Sequence, residues 1–196
     1  MSVTLWLHTF HLCYTDFSKY LISLIVILFI YIFYLSIPLL YDKNWIQNKI
    51  VTELGNEFNI NLGNSFDFSY RILPKPHYLI RDSKTSLAEI KTLNVFISQN
   101  NFFNKDSIRI NEVVIEEANF SLLSNDLKPL YKESENKFSK KKIKINDSNI
   151  FFKNNLNEVI SIIKISNAFL LFDEKNLFNF FDLSGRREQF YCSSSR

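Results

Sequence analysis

The stretch "IKINDSNI", Ile143 to Ile150, decides how this chain is read. It is nearly a second writing of "IRINEVVI", Ile108 to Ile115, and "IKISNAFL", Ile163 to Leu170, is a looser third. Each opens apolar–basic–apolar, the period of two that sets alternate side chains on one face of a strand. In the first phrase Ile108 and Ile110 share a face, but Val113 and Ile115 follow at an odd spacing after Asn111-Glu112. A bend or bulge there returns both pairs to a common side. The charged positions vary freely, since Asp147 stands where Glu112 did and Asn149 where Val114 did. What persists is a strand that shows one greasy face, breaks at polar residues, and shows that face again. The repeat is architectural, and the chain reads as mainly β, with an antiparallel-rich sheet that curls into a groove.

Working outward, the same period recurs. Phe58, Ile60 and Leu62 alternate with polar residues, and so do Phe66, Phe68, Tyr70 and Ile72. Gly63 and Asn64 between them predict a hairpin. A two-residue loop would set one strand's apolar side chains on the other's polar face. A three-residue loop over residues 63–65 pairs Leu62 with Phe66 and Ile60 with Phe68, and is preferred. "PKP" at residues 74–76 breaks the sheet; a short strand around Tyr78 to Arg81 follows, and then Leu93, Val95 and Ile97 alternate. "NNFFNKD" predicts a tight connection with Phe102 and Phe103 turned inward. Residues 124–142 are polar, charged and weakly periodic, and read as a linker or long loop. The basic run Lys140 to Lys142 reads as solvated surface, with a lipid-headgroup contact as the alternative. The further β repeats occupy residues 143–185. The last stretch, residues 186–196, loses the pattern, as a fragment or truncated reading frame would.

Upstream lies "YLISLIVILFIYIFYLSIPLLY", Tyr20 to Tyr41, without one charge. A helix of that length crosses the roughly 30 Å hydrocarbon core of a bilayer. It is longer than the apolar part of a cleaved leader, and no small-residue cleavage site follows. It predicts an uncleaved transmembrane signal anchor; a buried core helix is the alternative. Lysines flank both ends, so the positive-inside rule decides little. A short tail of residues 1–19 before a long polar body predicts N-in topology, with the body outside. Residues 44–54 then carry Ile46, Ile50, Val51 and Leu54 at helical spacing, a short amphipathic helix, with Gly55 as a left-handed stop. Trp45 suits the headgroup zone.

The formal charge is only +3 over 196 residues. Lysines and acids are interspersed, so no nucleic-acid surface is implied. Cys13 and Cys192 lie at opposite ends and offer neither a disulfide framework nor metal spacing. His8 and His11 lack a third ligand, and His77 stands alone. There is no phosphate loop, nucleophile elbow or Cys–His pair, and Glu116-Glu117 reads as a solvated edge. No cofactor, metal site or enzyme activity is predicted.

The order of these features resembles the N-terminal region of the AsmA family of envelope proteins, related to TamB and other bridge-like lipid transfer proteins. The likeness rests on the glycine after the first short helix and on "FDFSYRILPKPHYLIRD", with Pro-x-Pro after an aromatic strand. It rests also on "AEIKTLNVFIS" and on "NNFFNKDSIRINEVVIEEANFSLL", and covers residues 20–123. The resemblance implies a groove with an apolar interior over residues 42–123. It implies a body anchored in the inner membrane and projecting into the periplasm, with a role in phospholipid passage or outer-membrane biogenesis. Phospholipid and other envelope proteins are the implied partners. Acyl chains would lie along Phe66, Phe68, Tyr70, Leu93, Val95, Ile97, Ile108 and Ile110. The alternative is a membrane-anchored structural or protein-binding module in which that face is closed over as a core.

Overall fold

The computed structural model describes residues 3–63, 65–123, 139–173 and 178–188, and the side chains of 19–63, 65–123 and 139–171. The described residues are mainly β: two α-helices, two 3-10 turns and one seven-stranded sheet, with strands in sequence order across it.

Helix α1 runs Val3–Ser36 and ends where Pro38 removes a backbone donor, in a 3-10 turn at Ile37–Leu40. The helix therefore begins well before the apolar run. Among the described residues one helix is long and apolar enough to cross a membrane, over Lys19–Leu40, and only 11% of it is buried. Helix α2 is Lys43–Phe58, opened by Asp42, whose carboxylate accepts from Trp45 N–H at 2.7 Å. The sequence-based stop at Gly55 is corrected here. Ile46, Ile50, Leu54 and Phe58 are all buried at a spacing of four, so one more turn is held by packing. That burial overrides the roughly 1 kcal/mol helix penalty of glycine. Asn59 takes the left-handed cap at φ 56°, and Ile60 N–H closes on Leu54 O at 3.1 Å.

The predicted hairpin across residues 63–65 is likewise not formed. Phe58 belongs to α2, and residues 59–62 cross to the sheet without strand pairing, although Ile60, Leu62 and Phe66 still pack on the core. The apolar alternation marked burial rather than strand. The first hairpin instead joins β1 (Asp67–Arg71) to β2 (His77–Lys84), with the Pro74–Pro76 segment as its turn. Strand β3 (Ala88–Ile97) and β4 (Ile110–Leu123) continue antiparallel. Between them Phe102 is buried, whereas Phe103 is 74% exposed, so only one of the two rings turns inward.

Strands β5 (Lys142–Lys153), β6 (Val159–Asp173) and β7 (Phe178–Glu188) complete the sheet. The β4–β5 pair is parallel and every other pair is antiparallel. Parallel neighbours need a long crossover, which is the topological task of the polar stretch expected as a linker. Its residues 124–138 lie outside the described residues. The sheet as described is mixed and not strongly curled.

The bend expected inside the first phrase is present. Ile97 pairs with Ile110 but Phe96 with Glu112, so Asn111 bulges and Ile110, Val113 and Ile115 all reach one core. The second and third phrases pair with each other end to end, Ile143 with Leu170 and Ile150 with Ile163. Their breaks belong to a seam across the sheet. One residue drops out of the recorded pairing in each of five strands: Asp82, Lys91, Glu117, Asp147 and Ser166. Asp82, Glu117 and Asp147 have left-handed backbones, with φ of 51°, 53° and 45°. Beyond the seam the inward phase shifts by one residue, which is why Ile80, Leu93 and Ile115 share a face with Ile90 and Ala118. Ser148 closes the ladder there. Its hydroxyl accepts from Ala118 N–H at 3.0 Å and donates to Asn146 O at 2.7 Å.

Candidate functional site

The pairing lines up apolar side chains in rows. One runs Tyr78, Val95, Val113, Ile143, Leu170; the next runs Ile80, Leu93, Ile115, Ile145, Ala168. Beyond the seam lies Ala88, Phe120, Ile150, Ile163. These rows form one continuous apolar face, and what covers it differs from end to end.

Over β1–β4 the face is closed. Leu93 and Val95 are fully buried, Ile97, Ile108 and Ile110 are buried, Phe68 is 8% exposed, and Phe66 and Tyr70 pack half-buried against the same cluster. The cover is the stripe of α2 together with Leu35 from the end of α1 and Ile37 from the 3-10 turn after it. All eight residues named from the sequence therefore come together, but beneath helices. Phe68 stacks on Tyr78 at 5.0 Å and Tyr70 tilts against the same ring at 5.1 Å.

Hydroxyls pin this cover to the sheet. Tyr34 donates to Gln99 O at 2.7 Å, Tyr70 to Leu35 O at 2.7 Å, and Tyr41 to Phe102 O. Glu53 is the buried exception on α2. Its Oε1 accepts from Ile110 N–H at 2.8 Å, beside the bulge, and from Lys141 Nζ at 3.1 Å. Lys141 also pairs with Glu57, so the basic run is partly a clamp between the residue preceding β5 and α2 rather than free surface. Burial pushes the Tyr70 and Tyr78 phenols up, and Tyr70 and Tyr41 add to the shift at Tyr78.

Over β5 and β6 the cover is uneven. Ile143, Ser148, Ile165 and Ala168 are still buried, and Ile145 and Leu170 pack half-buried against the same core, whereas Ile150, Phe152 and Ile163 are half-buried beyond it, against 0% at Leu93 and Val95. Sequence reasoning expected further β repeats over residues 143–185 but did not single out these residues. The signal was available in the second and third phrases, where Ile145, Ile150 and Ile163 hold the positions that Ile110, Ile115 and Ile108 hold in the first.

The opposite side of the seam carries a polar trough lined by Asp82, Lys84, Glu89, Lys91, Glu117 and Asp147. Lys84 pairs with Glu89 at 2.7 Å and Lys91 with Glu117, so much of its charge is internally compensated. Among the described residues no group of three His, Cys, Asp or Glu side chains is placed to hold a metal ion. At the other end of α2, Trp45 lies between Lys49 and Lys105, whose Nζ atoms are each 5.1 Å from its ring. Burial, and then the Arg109 charge, hold the Lys49 ammonium below the usual lysine range.

No protein-family model matches this chain, and no curated protein matches it.

Proposed function

We propose that the protein is a single-pass membrane-anchored β-sheet module whose apolar sheet face, where the helices leave it less covered, carries phospholipid acyl chains. The observation behind this reading is the continuity of the apolar rows from the closed half into the half-buried Ile145, Ile150, Phe152, Ile163 and Leu170. Such a surface needs no catalytic group. It lowers the free energy of an acyl chain by removing apolar area from water, at about 25 cal/mol per Å². The resemblance to AsmA-like proteins supplies the rest: an inner-membrane anchor, N-in topology, a periplasmic body, and lipid passage or outer-membrane biogenesis. In a longer sheet built from the same units, the face would lengthen into a groove.

The alternative is a structural or protein-binding module on the same anchor. The burial of six of the eight sequence-named side chains in one core with α2, with Phe66 and Tyr70 half-buried against it, favours it for the β1–β4 half. Native mass spectrometry of the full chain, extracted from membranes in mild detergent, separates the two. The lipid reading requires retained or exchangeable phospholipid that is lost in Ile150→Asp and Ile163→Asp while the fold persists. A lipid-free wild-type protein contradicts it.

A further inference from the structure

We infer that the end of the sheet beside α1 docks into the bilayer surface, with Phe103 and Leu73 entering the interface and Lys75 and Lys105 meeting anionic lipid headgroups. This rests on α1 spanning a membrane, as proposed above, and adds a second, peripheral contact.

Depth carries the argument. Residues 20–34 of α1 give only about 22 Å at roughly 1.5 Å per residue, short of the roughly 30 Å that the hydrocarbon core demands. Although α1 continues upstream, Lys19 and Asp16 bound the apolar run there, so to span it must stay immersed beyond Tyr34, toward its exposed final residues Leu39 and Leu40. But Tyr34 is the side chain on which the sheet end rests. Its ring stacks on Phe102 at 5.2 Å and tilts against Phe103 at 5.6 Å, and its hydroxyl accepts from Phe102 N–H. Leu40 follows Tyr34 by two α-helical residues and the four of the 3-10 turn, about 11 Å at roughly 1.5 and 2.0 Å per residue, so the Phe103 ring lies inward of the end of the run. The bilayer that covers α1 therefore also reaches Phe103.

The same end holds the β1–β2 turn, since Arg71 pairs with His77 and His77 with Phe96. Leu73 on that turn is 78% exposed, and Phe103 is 74% exposed. Large apolar side chains at loop tips are costly in water and favourable in an interface. Lys75, on the same turn, and Lys105, two residues after Phe103, add positive charge beside them. Trp45, whose ring faces Lys49 and Lys105, completes an aromatic–basic collar of the kind that sits at headgroup level.

The test uses the full chain with Cys13 and Cys192 replaced by serine. Single spin labels are placed at Phe103→Cys, Leu73→Cys, Leu28→Cys and Leu156→Cys, in vesicles of phosphatidylcholine and phosphatidylglycerol. Leu156 is the control, an equally exposed leucine in the β5–β6 loop at the far end of the sheet. We expect the Phe103 and Leu73 labels to lose collisions with a water-soluble nickel chelate and gain them with oxygen, while Leu156 keeps its nickel collisions. Nickel access at Phe103 and Leu73 equal to that at Leu156 overturns the inference. If the Leu28 label is also open to nickel, the membrane-spanning reading falls with it; if Leu28 is shielded, only the docking is lost. With Lys75→Glu and Lys105→Glu combined, both loop labels should move toward water, and unchanged depth overturns the headgroup contact.

Discussion

Replacing Phe68 by aspartate asks whether the β1–β4 face is a core or an open groove. Phe68 pairs with Ile80, stacks on Tyr78 with ring planes 13° apart, and is 8% exposed beneath the helical cover. Losing its burial costs about 1.5–3 kcal/mol. Losing the ring pair removes roughly 0.5–1.5 kcal/mol more. An unpaired carboxylate in that position adds several kcal/mol, or is neutralised at a similar cost. The sum, roughly 5–8 kcal/mol, consumes most or all of the 5–15 kcal/mol typical of a domain. The variant should therefore lose protease resistance and near-ultraviolet circular dichroism in mild detergent. Phe68→Leu should only lower the urea midpoint. The half-buried Ile150→Asp, on the same face, should still fold, at a cost of about 1–2 kcal/mol. If Phe68→Asp melts within about 1 kcal/mol of wild type, the side chain is not enclosed, and the closed-core reasoning is wrong.

Other perturbations test individual joints. Gly55→Ala should stabilise by up to about 1 kcal/mol: the added Cβ meets only the Asn61 side-chain oxygen, at 3.0 Å, and a denaturation midpoint that drops would show that Asn61 does not give way. Ser148→Ala leaves the buried Ala118 N–H without its partner and should cost about 1–3 kcal/mol by urea titration. Glu53→Ala strands Ile110 N–H and part of the Lys141 clamp, whereas Glu53→Gln keeps an acceptor for Ile110, so the alanine variant should be the weaker in thermal melts. Tyr78→Phe removes a buried hydroxyl without a hydrogen-bond partner and should be neutral or stabilising, while Tyr70→Phe should lose about 1 kcal/mol with its bond to Leu35 O. The folded Tyr78 phenol sits above its unfolded value near 10, so its stabilisation is full below about pH 10 and is lost as the pH climbs through the folded value. Tyr78→Phe should therefore flatten the alkaline limb of a stability–pH profile.

Much of the strand content was legible because period-two alternation is a local property. Leu93, Val95 and Ile97 could face only one way together, and the odd spacing around Asn111 announced its bulge. The failures have physical causes. Phe58 satisfies both a two-residue and a four-residue period, and only packing against the sheet decides between them. Gly55 carries no Cβ to reveal whether it caps or continues a helix. The parallel β4–β5 pairing depends on a crossover whose polar residues bear no register information. Parallel pairing also sets Ile143 beside Val113 rather than beside Ile108, so the likeness of the first two phrases does not become a contact. The cover over the eight named residues was hidden because an apolar strand face looks the same beneath a helix or beneath a lipid.

The central claim is that acyl chains lie on the β5–β6 half of the face and are excluded from the β1–β4 half. A photoreactive phenylalanine analogue can be placed at Phe152, at Ile163 and, as the enclosed control, at Phe68, and the full chain irradiated in native membranes before mass spectrometry. Phospholipid adducts at positions 152 and 163, and none at 68, are expected. Adducts at neither open position, or adducts at 152 and 163 to protein alone, would contradict the account.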